Sequence, residues 1–307
     1  MNGILEYINK KSEYVSVNKS KIIKFINEIQ NWDYIYWCED LKKILNEKER
    51  ILFSFLYESI NFCFWDANKY YERLETKGSS DLFFNNFKKN IISNRKLLKI
   101  NYLMSMDFND FKKLININSN DFPMLNKRFK LLKETIKVIN DKGKDFFEEI
   151  FCLKSDIELL DYIIINFHHF KDESLYKNKI IKFNKRATLL VNDLYQLSET
   201  VKKNIKNLNN MTGCADYALP RFLYEKGILK YNNKLTNIIK SKSLIKHNSN
   251  MEIEIRANTL YVIEKIKKHL NDNDIKLNSI EIDNLIWKMR TNNKHFMPVH
   301  RTITIFY

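Results

Sequence analysis

Turn-forming residues are scarce in this chain, with five Gly and three Pro among 307 residues. An all-β fold needs many tight turns, and those residues supply the backbone angles such turns require, so helices are favoured. Cysteine is equally sparse. Cys38, Cys63, Cys152 and Cys214 lie far apart, form no C-x-x-C pair and sit among apolar or aromatic neighbours. That pattern excludes a disulfide-stapled scaffold and reads as buried free thiols in a reducing compartment. No apolar run reaches membrane-spanning length, and the opening MNGILEYINKKSEYVSVNKSK carries charge where a signal peptide needs an apolar core. A cytoplasmic protein without membrane association is expected. The P-loop, the dinucleotide glycine fingerprint and the nucleophile elbow are all missing. His168 and His169 are adjacent rather than four apart, so no metal site is expected.

What is present is core-building material: 44% hydrophobic residues, including 21 Phe and 16 Tyr. Charged residues make up 29% and are interspersed with apolar ones, which argues against disorder. The net charge of +15 points to an anionic partner, or simply to a surface of solvated, evenly spread lysines. Helical spacing is plain at Ala187, Leu190, Val191 and Leu194, and again at Leu260, Ile263, Ile266 and Leu270. A third helix is expected over residues 123–138, with Pro123 in its first turn and Leu125, Leu131, Leu132 and Val138 facing inward. Extended pieces are expected at 252–256 and 302–307, and exposed loops at 78–81 and 270–278. The reading is a mainly α chain, one helical domain over residues 1–307 with at most a few short strands.

Several polar residues sit in apolar or aromatic settings, where charge is costly unless paired. Lys185 and Arg186 open an apolar helix, a position where cations oppose the helix dipole; they either serve an anion or are solvated ends. Asp216 lies in the small-residue segment TGCADYALP ahead of a helix, as an N-cap or as a site acid. Asp283 and Trp287 share a helix face, giving either a carboxylate beside a stacking ring or a surface acid beside a core indole. His300 and Arg301 form a phosphate clamp or a basic tail. The aromatic clusters at 32–37 and 61–65 read as core.

Taken in order, NFCFW from Asn61, FPMLNKR from Phe122, FKDES from Phe170, FNKRATLLVNDL from Phe183, MTGCADYALPRFLYEKGILKY from Met211, EIEIRANTLYVIE from Glu252, the 283–287 segment and the closing HRTITIFY resemble the queuosine salvage family of N-glycosylases. The resemblance is dense from about residue 122 onward and thinner before. The family's Gly-Tyr-Trp-Ser pattern is replaced here by Gly78-Ser79-Ser80-Asp81-Leu82-Phe83-Phe84. It implies a mainly helical fold similar to helical DNA glycosylases and release of queuine from queuosine 5'-monophosphate. It also implies no cofactor, a small-molecule nucleotide as partner, no obligate nucleic acid, and a monomer. Carried over by position, the catalytic carboxylate falls on Asp283 and the base-contacting one on Asp216, with Cys214 beside it. Ile282 and Trp287 fall at the pocket, the KRA lysine is Lys185, and a base-contacting His is replaced by Tyr36. Lys185, His300 and Arg301 would meet the phosphate or orient a carboxylate, and Lys185 as a Schiff-base nucleophile is a lesser alternative. A non-catalytic basic helical module binding RNA or DNA, and a DNA-lesion glycosylase, are the rival readings.

Overall fold

A computed structural model describes residues 2–29, 36, 38–64, 79–117, 122–291 and 296–307. Of the aromatic clusters read from sequence, residues 32–35, Trp37 and Trp65 lie outside the described residues, as does Gly78. Among the described residues the chain is mainly helical, with two small antiparallel pairs of strands. Among the described residues no helix is long and apolar enough to cross a membrane.

The helix Glu47–Ile60 begins at a capping box in which the Asn46 side chain accepts from the Glu49 N–H and the Glu49 carboxylate from the Asn46 N–H, both at 3.0 Å. Every residue from Arg50 to Ile60 is buried, so this helix runs through the interior. Its far end is held by Arg128, whose guanidinium donates to the Pro123, Ile60, Phe62 and Cys63 carbonyls and lies among the rings of Phe62, Phe64, Phe83 and Phe122. Helices Leu125–Lys142 and Lys185–Leu197 pack against it, and the stripe Ala187, Leu190, Val191 and Leu194 is wholly buried there. These elements form one hydrophobic cluster. A second gathers around the long helix Asn250–Asp272 with Asn2–Lys11, Lys19–Ile29, Ala218–Glu225 and Ser279–Thr291.

Several local expectations are corrected. Residues 252–256 are helical, not extended, because both sides of this stretch are buried: Ile253 and Ile255 in the core, Glu252, Glu254 and Arg256 in internal polar pairs. Alternation normally signals one wet face, and here neither face is wet. Residues 302–307 form no strand; Arg301 alone bridges Leu244. The strands present are Val15–Val17 paired with Leu229–Tyr231, and the hairpin Glu173–Tyr176 with Lys179–Lys182. That hairpin turns through Lys177 and Asn178, both at positive φ, without the glycine that would have announced it. The third helix starts at Leu125, after Met124 in the left-handed region, so Pro123 precedes its first turn, and Val138 is only half-buried. The loop expected at 78–81 gives way to a helix, Ser79–Ser93. Cys152 is exposed at the end of Asp145–Cys152, unlike the three buried thiols.

Candidate active site

Where the two hydrophobic clusters meet, the chain leaves a cleft of about 330 Å³, at the small end of the roughly 300–1,000 Å³ typical of small-molecule sites. Helices Glu47–Ile60, Ser79–Ser93 and Ser279–Thr291, the 211–217 segment and the start of Ala218–Glu225 line it. Lys185 reaches in between. Its place at a helix start is fixed by Asn184, in the left-handed conformation that Asn tolerates, whose N–H donates to the Asp172 carbonyl and whose Oδ1 accepts from the Asp172 N–H.

Asp283 and Asp216, 67 positions apart in sequence, both line this cleft. Asp283 is buried, and its Oδ2 accepts the Cys214 N–H at 2.7 Å. Burial pushes its carboxyl well above the usual carboxylate range; the Cys214 N–H and Lys185 oppose that, while the charge of Asp216 adds to it. Gly213 makes the approach possible, since a Cβ there would lie 2.5 Å from Ile263 Cδ1 and 3.1 Å from Asp283 Oδ2. Asp216 is half-exposed and accepts the Ala218 and Leu219 N–H groups on Oδ1, at 2.7 and 3.3 Å. It therefore holds the first turn of that helix and lines the cleft at once. Cys214 turns its thiol to the Lys185 carbonyl at 3.8 Å, and burial together with Asp283 raises it far from the reactive thiolate range.

Trp287 joins Asp283 on the cleft face of Ser279–Thr291, one turn apart as their spacing requires, and Arg290 lies over its ring at 5.2 Å. Tyr57, Phe64, Phe84 and Tyr217 supply further aromatic wall. Of the residues expected from sequence, Asp283, Asp216, Lys185, Cys214 and Trp287 are brought together. Tyr36, Ile282, His300 and Arg301 are not among the residues lining the cleft. Ile282, next to Asp283 on the helix, turns into the core. The Tyr36 hydroxyl donates to Asp193 at 2.9 Å inside the other cluster. His300 packs on Tyr307, and burial lowers it to about 4, leaving it uncharged near neutrality. Arg301 is buried where its carbonyl accepts the Ile245 N–H. The cations on the cleft are instead Lys185, Lys288 and Arg290.

Sequence reading missed Glu58, Asn61 as a polar contact, and Arg256. Arg256 is fully buried between Phe183 and Tyr307, pairs with Asp172 and Glu252, and donates from Nε to the Ala215 carbonyl at 3.1 Å. It ties together the segment carrying Cys214 and Asp216 and the approach to Lys185. A lone Arg in the dense EIEIRANTLYVIE string was the available signal. Among the described residues no group of three or more His, Cys, Asp or Glu is placed to hold a metal ion.

The profile of the queuosine salvage proteins matches residues 41–307. The chain belongs to the queuosine salvage protein family. Among its relatives is the queuosine 5'-phosphate N-glycosylase/hydrolase of Dictyostelium discoideum, 28% identical over 300 residues that cover 95% of this chain and 89% of that one. The protein of the same description from Sphaerobacter thermophilus is 26% identical over 281 residues, 89% and 84% of the two chains. That from Nematostella vectensis is 30% identical over 227 residues, 67% and 65%.

Proposed function

We propose that this chain hydrolyses the N-glycosidic bond of queuosine 5'-phosphate and releases the 7-deazaguanine base for reuse in tRNA modification. The observation that carries this reading is the convergence of Asp216, Asp283 and Lys185, from three separate elements, in one aromatic-walled cleft. Family membership supports the same reaction class.

Breaking the bond from ribose C1' to the base builds positive charge on the sugar and negative charge on the leaving ring. A 7-deazaguanine has carbon at position 7, so the proton that guanine would take on N7 must go elsewhere. The site therefore needs one acid that can pass a proton to the leaving base and one carboxyl that faces the sugar. Asp283, buried and lifted, is the proton carrier. With Oδ2 engaged by the Cys214 N–H, Oδ1 is the oxygen left to exchange a proton with the base. Asp216, held by two N–H groups at a helix start, faces the sugar as C1' gains positive charge and water adds there. These roles exchange those the resemblance alone implies. Trp287 and its aromatic neighbours stack on the heterocycle, worth about 1–3 kcal/mol. Lys185, Lys288 and Arg290 meet the 5'-phosphate in place of His300 and Arg301.

Mass spectrometry of the purified protein incubated with queuosine 5'-phosphate tests the proposal; free queuine and ribose 5-phosphate in equal amounts are the expected products. An intact nucleotide after long incubation, with salt-dependent tRNA binding instead, would return the chain to the nucleic-acid-binding reading. Release of a base from damaged duplex DNA alone would favour the lesion glycosylase.

A further inference from the structure

Asp172 does not line the cleft, yet it joins two parts of the site. It is 1% exposed and sits at the neck of the hairpin formed by Glu173–Tyr176 and Lys179–Lys182. Its carbonyl accepts the Phe183 and Asn184 N–H groups, at 2.8 and 3.1 Å, and its own N–H donates to Asn184 Oδ1 at 3.1 Å. Asn184, at φ 47°, is thereby held in the turn that opens the helix Lys185–Leu197. Lys185 is the next residue, buried and on the cleft lining.

The side chain of Asp172 runs the other way. Its carboxylate receives both terminal nitrogens of Arg256, one on each oxygen. Arg256 is clamped between the rings of Phe183 and Tyr307, at 3.9 and 4.3 Å, and its Nε donates to the Ala215 carbonyl at 3.1 Å. A two-pronged pair fixes direction as well as distance, whereas a buried ion pair adds little net stability over apolar residues of the same size. Geometry is therefore what this pair contributes. A contact from the Cys214 thiol to the Lys185 carbonyl, at 3.8 Å, joins the same two parts but comes from a weak donor.

We infer that Asp172 is a positioning residue: through Arg256 it takes its place from the 211–217 segment, and through Asn184 it passes that place on to Lys185. The cation is so set at the distance from Asp216 and Asp283 that a sugar with its 5'-phosphate spans. The assignment rests on the hydrolase reading of the cleft, in which Lys185 meets the phosphate. Asparagine at 172 would keep the shape and every backbone bond, but its amide nitrogen would set donor against donor on Arg256. Lys185 would then lose its reference to the two acids.

Rates of base release from queuosine 5'-phosphate and from queuosine itself, compared as kcat/KM, test the inference, because any loss of folded protein cancels in their ratio. The wild type should prefer the phosphate. Asp172→Asn should cut that preference about tenfold, as the loss of one charged hydrogen bond does, with the nucleoside little affected. Asn184→Gly keeps the left-handed turn but removes one acceptor, and should cut it about threefold. Lys185→Gln should cut it at least as far as Asp172→Asn, and adding Asp172→Asn to it should change nothing more, since the one residue acts through the other. A preference unchanged in folded Asp172→Asn, or losses that multiply in the double variant, overturns the assignment. So does equal use of the two substrates by the wild type. Calorimetric binding of ribose 5-phosphate follows the same cycle without turnover. If Asp172→Asn weakens that binding about tenfold while the wild type releases no base, the hydrolase reading alone fails.

Discussion

Two stretches of the cleft lining hold their acids in different ways. On one, Asp283 and Asp216 are gripped by backbone N–H groups of Cys214, Ala218 and Leu219, donors that cannot turn away. On the other, Glu58 is gripped by the side chain of Asn61, and its neighbours Lys185 and Arg186 come from another helix. Backbone-held acids suit chemistry, where a displacement of about 1 Å can cost 10²-fold in rate.

Asp283→Asn sharpens this contrast most. It should lower kcat by about 10²–10⁴-fold, the usual worth of a positioned general acid, while leaving the fold intact because the amide is nearly isosteric. A second readout follows from linkage. Asp283 binds its proton more tightly in the folded than in the unfolded chain, so it contributes a loss of stability as pH rises above the ordinary carboxyl range. Thermal melts across pH 4–8 should therefore show a flatter high-pH decline in Asp283→Asn; an unchanged slope would mean that Asp283 is ionised throughout.

Arg256→Ala comes next. It leaves Asp172 and Glu252 buried without their cation and frees the Ala215 carbonyl, so denaturant titration should register a loss of about 3–5 kcal/mol. A loss under 1 kcal/mol would show that the 211–217 wall does not depend on this staple. Gly213→Ala is milder for stability but is aimed at the same wall: the new methyl meets Ile263 and Asp283 and should reduce kcat by about 10²-fold. Steady-state kinetics with KM little changed would mark it as a displacement of the acid, and normal kcat would mean that Asp283 tolerates movement. Smallest is Tyr36→Phe, which removes a buried hydrogen bond to Asp193 and should cost about 0.5–1.5 kcal/mol of stability with KM unaltered. A raised KM would return Tyr36 to the binding site that its alignment suggested.

The wall built from the C-terminal half was legible because its residues sit in short, compositionally odd strings. TGCADYALP packs glycine, cysteine and an acid before a proline-bearing helix, and the Asp283–Trp287 spacing places both on one helical face. Glu58 was not legible, since an acid in a helix that also carries Arg50, Ser54 and Ser59 looks like an exposed position until residues 50–60 prove to be buried on every side. His300 and Arg301 lie behind the residues that line the cleft. Adjacent cationic residues read as a clamp, yet burial lowers the imidazole to about 4, and His300 packs on Tyr307, which itself lines the cleft.

Composition and periodicity alone determined that this chain would be helical: too few glycines and prolines for many turns, and apolar stripes at helical spacing. The ordered motifs determined its family. Tertiary structure alone decided which charges face one another. Period and propensity report only a residue's own helix, whereas the state of a carboxyl depends on burial and on partners that fold in from distant stretches, as Cys214 and Lys185 do upon Asp283.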